Sequence, residues 1–103
     1  MIADSHLPEL KEVLVQHGVV LAYVFGSQAE SRARPSSDVE IAVLLPADIP
    51  PSKFFNVRLS LTNALMDLLH QNDIEVVVLN EATPLLAYQV LQNGKLVYED
   101  SQT

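Results

Sequence analysis

The sequence has no cysteine and no tryptophan, three glycines, and six Lys and Arg residues against 13 Asp and Glu. Without cysteine there is no disulfide framework and no zinc cluster of the cysteine type. The formal net charge is −7 and the pI about 4.6. A duplex-binding surface shows a basic footprint, so direct nucleic-acid binding is not expected. No apolar run approaches the ~20 residues that span a bilayer, and no basic segment followed by an apolar core opens the chain. A cytoplasmic protein with no membrane partner is expected. The 103 residues suit one domain, 1–103, with one real core. What is abundant is apolar: 49% of residues are hydrophobic, with a mean hydropathy of +0.19. Strands buried on both faces, or apolar surface kept for a partner, would account for that richness.

Taken in order, Leu7, Leu10, Val13 and Leu14 recur at helical spacing, with Ser5 as a cap, Pro8 in the first turn and Gly18 as terminator. Residues 19–25 form a continuously apolar strand. Residues 27–33 suit a short helix that Arg34-Pro35-Ser36-Ser37 breaks. A second strand covers 38–45, with Val39, Ile41, Val43 and Leu45 on one side and Asp38, Glu40, Ala42 and Leu44 on the other. After the Pro46, Pro50 and Pro51 loop, Ser52 is placed as the cap of a long helix to about Gln71. Its main stripe is Phe54, Val57, Leu61, Leu65 and Leu68, widened by Phe55, Leu59, Met66 and Leu69. A face so wide is read chiefly as core, and otherwise as partner surface. Residues 73–79 form a third strand with Glu75 set among Ile74, Val76, Val77 and Val78; Thr83-Pro84 starts a helix that Asn93-Gly94 ends, and 95–99 add an edge strand. This alternation argues an α/β fold and leaves strand directions open.

The chemistry concentrates between the first two strands. The first stops at Gly26-Ser27; ten residues later the second begins with Asp38 and Glu40 at alternate positions. Gly26 has no Cβ to hold a ligand away, and Ser27 can cap a helix whose N–H groups meet an anion. Residues two apart in a strand share a side, so Asp38 and Glu40 would face the same way. Hard divalent cations choose oxygen donors, and Mg²⁺ in phosphoryl transfer is commonly held by one or two carboxylates plus substrate phosphates. Taken singly, a Gly-Ser pair is an ordinary turn and two acids on a strand are an ordinary solvated face. A phosphate turn followed at close spacing by a carboxylate pair reads as nucleotide chemistry. The three histidines, His6, His17 and His70, share no metal-ligand spacing and pair with no recognisable nucleophile in sequence, so they are read as structural.

Gly-Ser, ten residues, then Asp-x-Glu resembles the Gly-Ser-x10-Asp-x-Asp signature of the DNA polymerase β-like nucleotidyltransferases. Within them the chain looks most like the minimal nucleotidyltransferases, antitoxin partners of HEPN-domain toxins. Residues 79–91, with 94–99 after them, resemble the C-terminal segment of that subfamily. The likeness runs from about Leu7 to Glu99. It implies a single minimal nucleotidyltransferase domain whose small mixed β-sheet is flanked by helices. It implies Mg²⁺ held by Asp38, Glu40 and Glu75, ATP as substrate, and phosphates positioned by Gly26, Ser27, Ser37, Arg32 and Arg34. It implies AMP transfer to a tyrosine hydroxyl of a HEPN ribonuclease toxin, with Glu75 also placed to take the proton. The chain departs from the pattern at Glu40 and Glu75, where Asp is usual, and at Ser31, where many relatives have Gly. A degenerate antitoxin acting by binding alone is therefore the alternative, and transfer to a small molecule such as an aminoglycoside a more distant one. Association as a homo- or hetero-oligomer is left open.

Overall fold

The computed structural model describes residues 6–25 and 39–100. Their order is α1 (Leu7–Gln16), β1 (Leu21–Phe25), β2 (Val39–Leu44), α2 (Phe54–Leu69), β3 (Ile74–Val78), α3 (Pro84–Asn93) and β4 (Lys95–Glu99). The strands form one mixed sheet in the order β3-β2-β1-β4. β1 runs antiparallel to both β2 and β4, while β2 and β3 are parallel. That last pairing needs a long crossover, which α2 supplies. The small mixed sheet with flanking helices is therefore the fold the sequence resemblance implied.

Alternation along the strands sorts the sheet into two faces. Val39, Ile41 and Val43 of β2, Ala22 and Val24 of β1, and Ile74, Val76 and Val78 of β3 are buried. All belong to one cluster with Leu10 and Leu14 of α1 and Phe54, Leu61, Leu65 and Leu69 of α2, while Ala42, paired with Tyr23, is buried outside that cluster. Fully burying one such side chain stabilises by about 1.5–3 kcal/mol, so this face holds the fold together. The opposite face carries Tyr23, Phe25, Leu44 and Val77, all half-buried, together with Glu40 and Glu75. α3 reaches the sheet where Gly94 meets Tyr23 and Val24 of β1.

The helix ends have local causes. α1 closes on a Schellman motif: Gly18, at φ +75°, donates to Val15 O at 3.0 Å, and Val19 N donates to Leu14 O at 3.0 Å. α2 ends on His70 in the left-handed region, at φ 52°. Thr83 caps α3, its hydroxyl accepting from Leu86 N at 3.2 Å. Ser52 does not cap α2 as the sequence suggested. Pro50, Pro51 and the following residues wind a short 3-10 turn, Pro51–Lys53, and α2 begins after it without a side-chain cap. Phe55 and Leu59 are the other difference, because they stay exposed rather than joining the core. The cap expected at Ser5 and the short helix expected over 27–33 lie outside the described residues.

His17 has a partner that sequence spacing could not show. Its Nδ1 lies 2.8 Å from Val13 O and its Nε2 lies 3.1 Å from Ser60 Oγ. With Nδ1 donating to the carbonyl, Nε2 accepts from the serine hydroxyl and ties α1 to α2.

Candidate functional site

Three strands bring one row of residues together. Phe25, the last residue of β1, stands opposite Glu40, and Glu40 stands opposite Glu75 across the parallel pair. Directly paired residues in adjacent strands point to the same side, so the two carboxylates share the face away from the main core. Neighbouring strands are about 4.8 Å apart, which sets the spacing of the two glutamate backbones. Glu40 is half-buried and Glu75 is exposed. Glu75 carries no burial cost, because β3 is an edge strand and its glutamate faces solvent.

The strand ends are anchored from the opposite end of the sheet. Asn80 follows β3 and grips the residue after β2: Leu45 N donates to its Oδ1 at 2.8 Å, and its Nδ2 donates to Leu45 O at 2.8 Å. The side chain thereby continues the parallel ladder where the backbone of β3 turns away. Sequence reading overlooked Asn80; its place directly after an apolar strand, as an amide with both a donor and an acceptor, was the available signal.

Gly26, Ser27, Arg32, Arg34, Ser37 and Asp38 lie outside the described residues, so of the expected site only Glu40 and Glu75 can be placed. Chain connectivity still restricts the first and last of them. Gly26 directly follows Phe25, and Asp38 directly precedes Val39, which pairs with Ile74. Among the described residues no three His, Cys, Asp or Glu side chains come together as a metal site. The donor pair nonetheless fits Mg²⁺, which takes oxygen ligands and keeps positions for water and substrate phosphates.

Beside Glu75 lies an open cleft of about 490 Å³. Phe54, Phe55 and Arg58 of α2 wall one side, Thr83 and Leu86 the other, and Val76–Val78 form its floor. The Arg58 guanidinium lies 5.7 Å from the centre of the Phe55 ring. Elsewhere, α3 exposes Leu85, Tyr88 and Leu91 at 67%, 55% and 60%. No helix among the described residues is long and apolar enough to cross a membrane.

The profile of the family described as polymerase beta, nucleotidyltransferase matches residues 8–103. Three solved structures are similar over most of the chain. A toxin–antitoxin complex with AMP-PNP shares 26% identity, covering 93% of this chain and 75% of that one, with a TM-score of 0.76. A tri-AMPylated Shewanella oneidensis HEPN toxin in complex with MNT antitoxin contains a chain 25% identical, with coverages of 95% and 73% and a TM-score of 0.69. A protein described as a minimal nucleotidyltransferase is 26% identical, with 87% of each chain covered and a TM-score of 0.67. No curated protein matches the sequence.

Proposed function

Because the chain belongs to the polymerase β nucleotidyltransferase family, we propose that it is an antitoxin that transfers AMP from ATP to a tyrosine hydroxyl of a HEPN ribonuclease toxin. The observation that carries this reading is the row Phe25, Glu40, Glu75, which gathers the entry to the Gly-Ser turn and two carboxylates on one face. The similar complexes support it, one holding an ATP analogue and the other an AMPylated toxin.

In this mechanism Gly26 and Ser27 receive the β- and γ-phosphates, with Ser37, Arg32 and Arg34 adding hydrogen bonds and positive charge. Asp38, Glu40 and Glu75 would hold Mg²⁺, and the ion would supply charge stabilisation to the triphosphate. The tyrosine oxygen attacks the α-phosphorus, the bond to the bridging oxygen breaks, and pyrophosphate leaves. Glu75 takes the phenolic proton in this reading, which its exposure to solvent supports. A protein acceptor brings its own binding surface, so a small domain suffices for the transferase side.

The experiment is label transfer from ATP to the co-purified toxin with Mg²⁺, comparing wild type with Asp38→Ala. Transfer by the wild type and none by the variant is the expected result. A wild type no better than Asp38→Ala would end the enzymatic reading.

A second reading has its own observation. The exposed Leu85, Tyr88 and Leu91 lie three apart along α3 and so share a side of that helix. A stripe of this kind is what an antitoxin that neutralises by binding alone requires. Relief of toxicity by Asp38→Ala, equal to that by the wild type and without any label transfer, would establish it.

A further inference from the structure

The edge of β3 is built differently from the edge at the other side of the sheet. β4, the opposite edge strand, carries Lys95 and Glu99, charges that discourage another strand from pairing. β3 reads Ile-Glu-Val-Val-Val, and its outer side opens into the cleft between α2 and the start of α3. Its backbone directions follow from the register. Val39 N donates to Asp73 O at 2.7 Å, and Val39 stands opposite Ile74. In a parallel ladder of that phase, the N–H and C=O groups of Glu75 and Val77 turn toward β2. Those of Ile74, Val76 and Val78 turn outward, and the cleft floor is made of this stretch.

We propose that this edge binds an extended segment of the acceptor protein as an added strand and so delivers the acceptor residue to Glu75. The proposal rests on the transferase reading above and specifies how the protein acceptor is held. Outward-facing backbone groups in a row are matched by another extended backbone, which supplies alternating donors and acceptors. Side chains of an added strand alternate, so every second one projects to the face that carries Glu75. The others project toward α2, where Phe55, held under the Arg58 guanidinium, offers an apolar wall. Side chains of α2 and of the start of α3 line the same cleft on either side of this edge. Glu75 and Glu81 outnumber Arg58 among the charged residues at the cleft, and with the net charge of −7 they favour a segment of positive charge.

Amide hydrogen exchange of the chain alone and of its complex with the toxin tests the proposal, alongside label transfer from ATP. In the complex, the Val76 and Val78 amides should slow by about tenfold or more, while those of Glu75 and Val77, already bonded to β2, should change little. Val76→Pro removes one outward donor and should raise the KM for the toxin about tenfold; Phe55→Ala, which leaves the backbone and the charge intact and removes the apolar wall, should do the same. Label transfer with the Val76 and Val78 amides unprotected would overturn the added strand and leave the transferase reading standing. Absence of both complex and transfer would remove the two together. Protection of the same amides in the chain alone, with the mass of a dimer, would assign the edge to a second copy and overturn the proposal.

Discussion

Glu75→Gln separates the cost of the carboxylate pair from its use. Glu40 and Glu75 sit directly opposite on strands about 4.8 Å apart, and like charges so placed destabilise a sheet. Side chains of this length can spread their carboxylates to about 6 Å, and because Glu75 is exposed a water-like dielectric applies; the repulsion is then about 0.7 kcal/mol. Salt at physiological strength, with a screening length of about 8 Å, reduces it to roughly 0.3–0.5 kcal/mol. The amide variant should therefore be slightly more stable than wild type in EDTA, by about 1–4 °C in Tm. With Mg²⁺ and ATP the order should reverse. A ligand at a hundred times its Kd stabilises the wild type by about 2.7 kcal/mol, and the variant should lose most of that gain. Thermal unfolding with and without MgATP, at two salt concentrations, reads both effects. A variant less stable than wild type in EDTA would refute the repulsion; an undiminished MgATP shift would refute the role of Glu75 in the site.

The other predictions concern the site's dimensions and its supports. Glu40→Asp with Glu75→Asp should lower label transfer, because each ligand would fall short by about one methylene, and misplacements near 1 Å can cost about 10²-fold in rate; higher transfer would instead mark a decayed Asp-x-Asp site. Gly94→Ala places a Cβ 2.5 Å from Val90 O and 3.3 Å from Tyr23 Cβ, so the last turn of α3 must shift against β1. Urea denaturation should show a loss of about 2 kcal/mol or more. Gly18 has open space around it but a φ of +75°, so Gly18→Asn should be tolerated far better than Gly94→Asn. Asn80→Ala removes both bonds to Leu45 and should cost about 1–3 kcal/mol in the same assay.

Much of the fold was legible because the sequence obeys simple periods. The strands fall inside the apolar runs, and the two faces of β2 follow from alternation, with Val39, Ile41 and Val43 all buried. Thr83-Pro84 opens α3 as its chemistry suggests, whereas Gly94 ends it in extended backbone, where a side chain would meet Val90 O. Ser52 misled because a capping residue is equally at home in a 3-10 turn, and the proline pair before it favours that turn. Phe55 and Leu59 misled because a wide apolar stripe says how much of a helix is apolar, and not how much its neighbours cover. The partnership of His17 with Ser60, and of Asn80 with Leu45, links residues 43 and 35 positions apart, beyond the reach of any local pattern. For the site, motif spacing singled out Asp38 and Glu40 and the family resemblance added Glu75, but only the parallel register of β2 and β3 makes the two glutamates neighbours.

That register also decides what the two glutamates can mean chemically. Backbone hydrogen bonds hold β2 and β3 at the ladder spacing, and the Asn80 clamp prevents slippage at the far end. The extra methylene of each glutamate therefore cannot be absorbed by moving the strands apart or past each other. It must be taken up by the side chains, which lengthens their reach above the sheet and away from the buried face. A cation held by Glu40 and Glu75 would sit farther from the sheet than one held by two aspartates on the same backbone. Transfer with glutamate ligands thus demands that the phosphates, too, be held higher above the sheet.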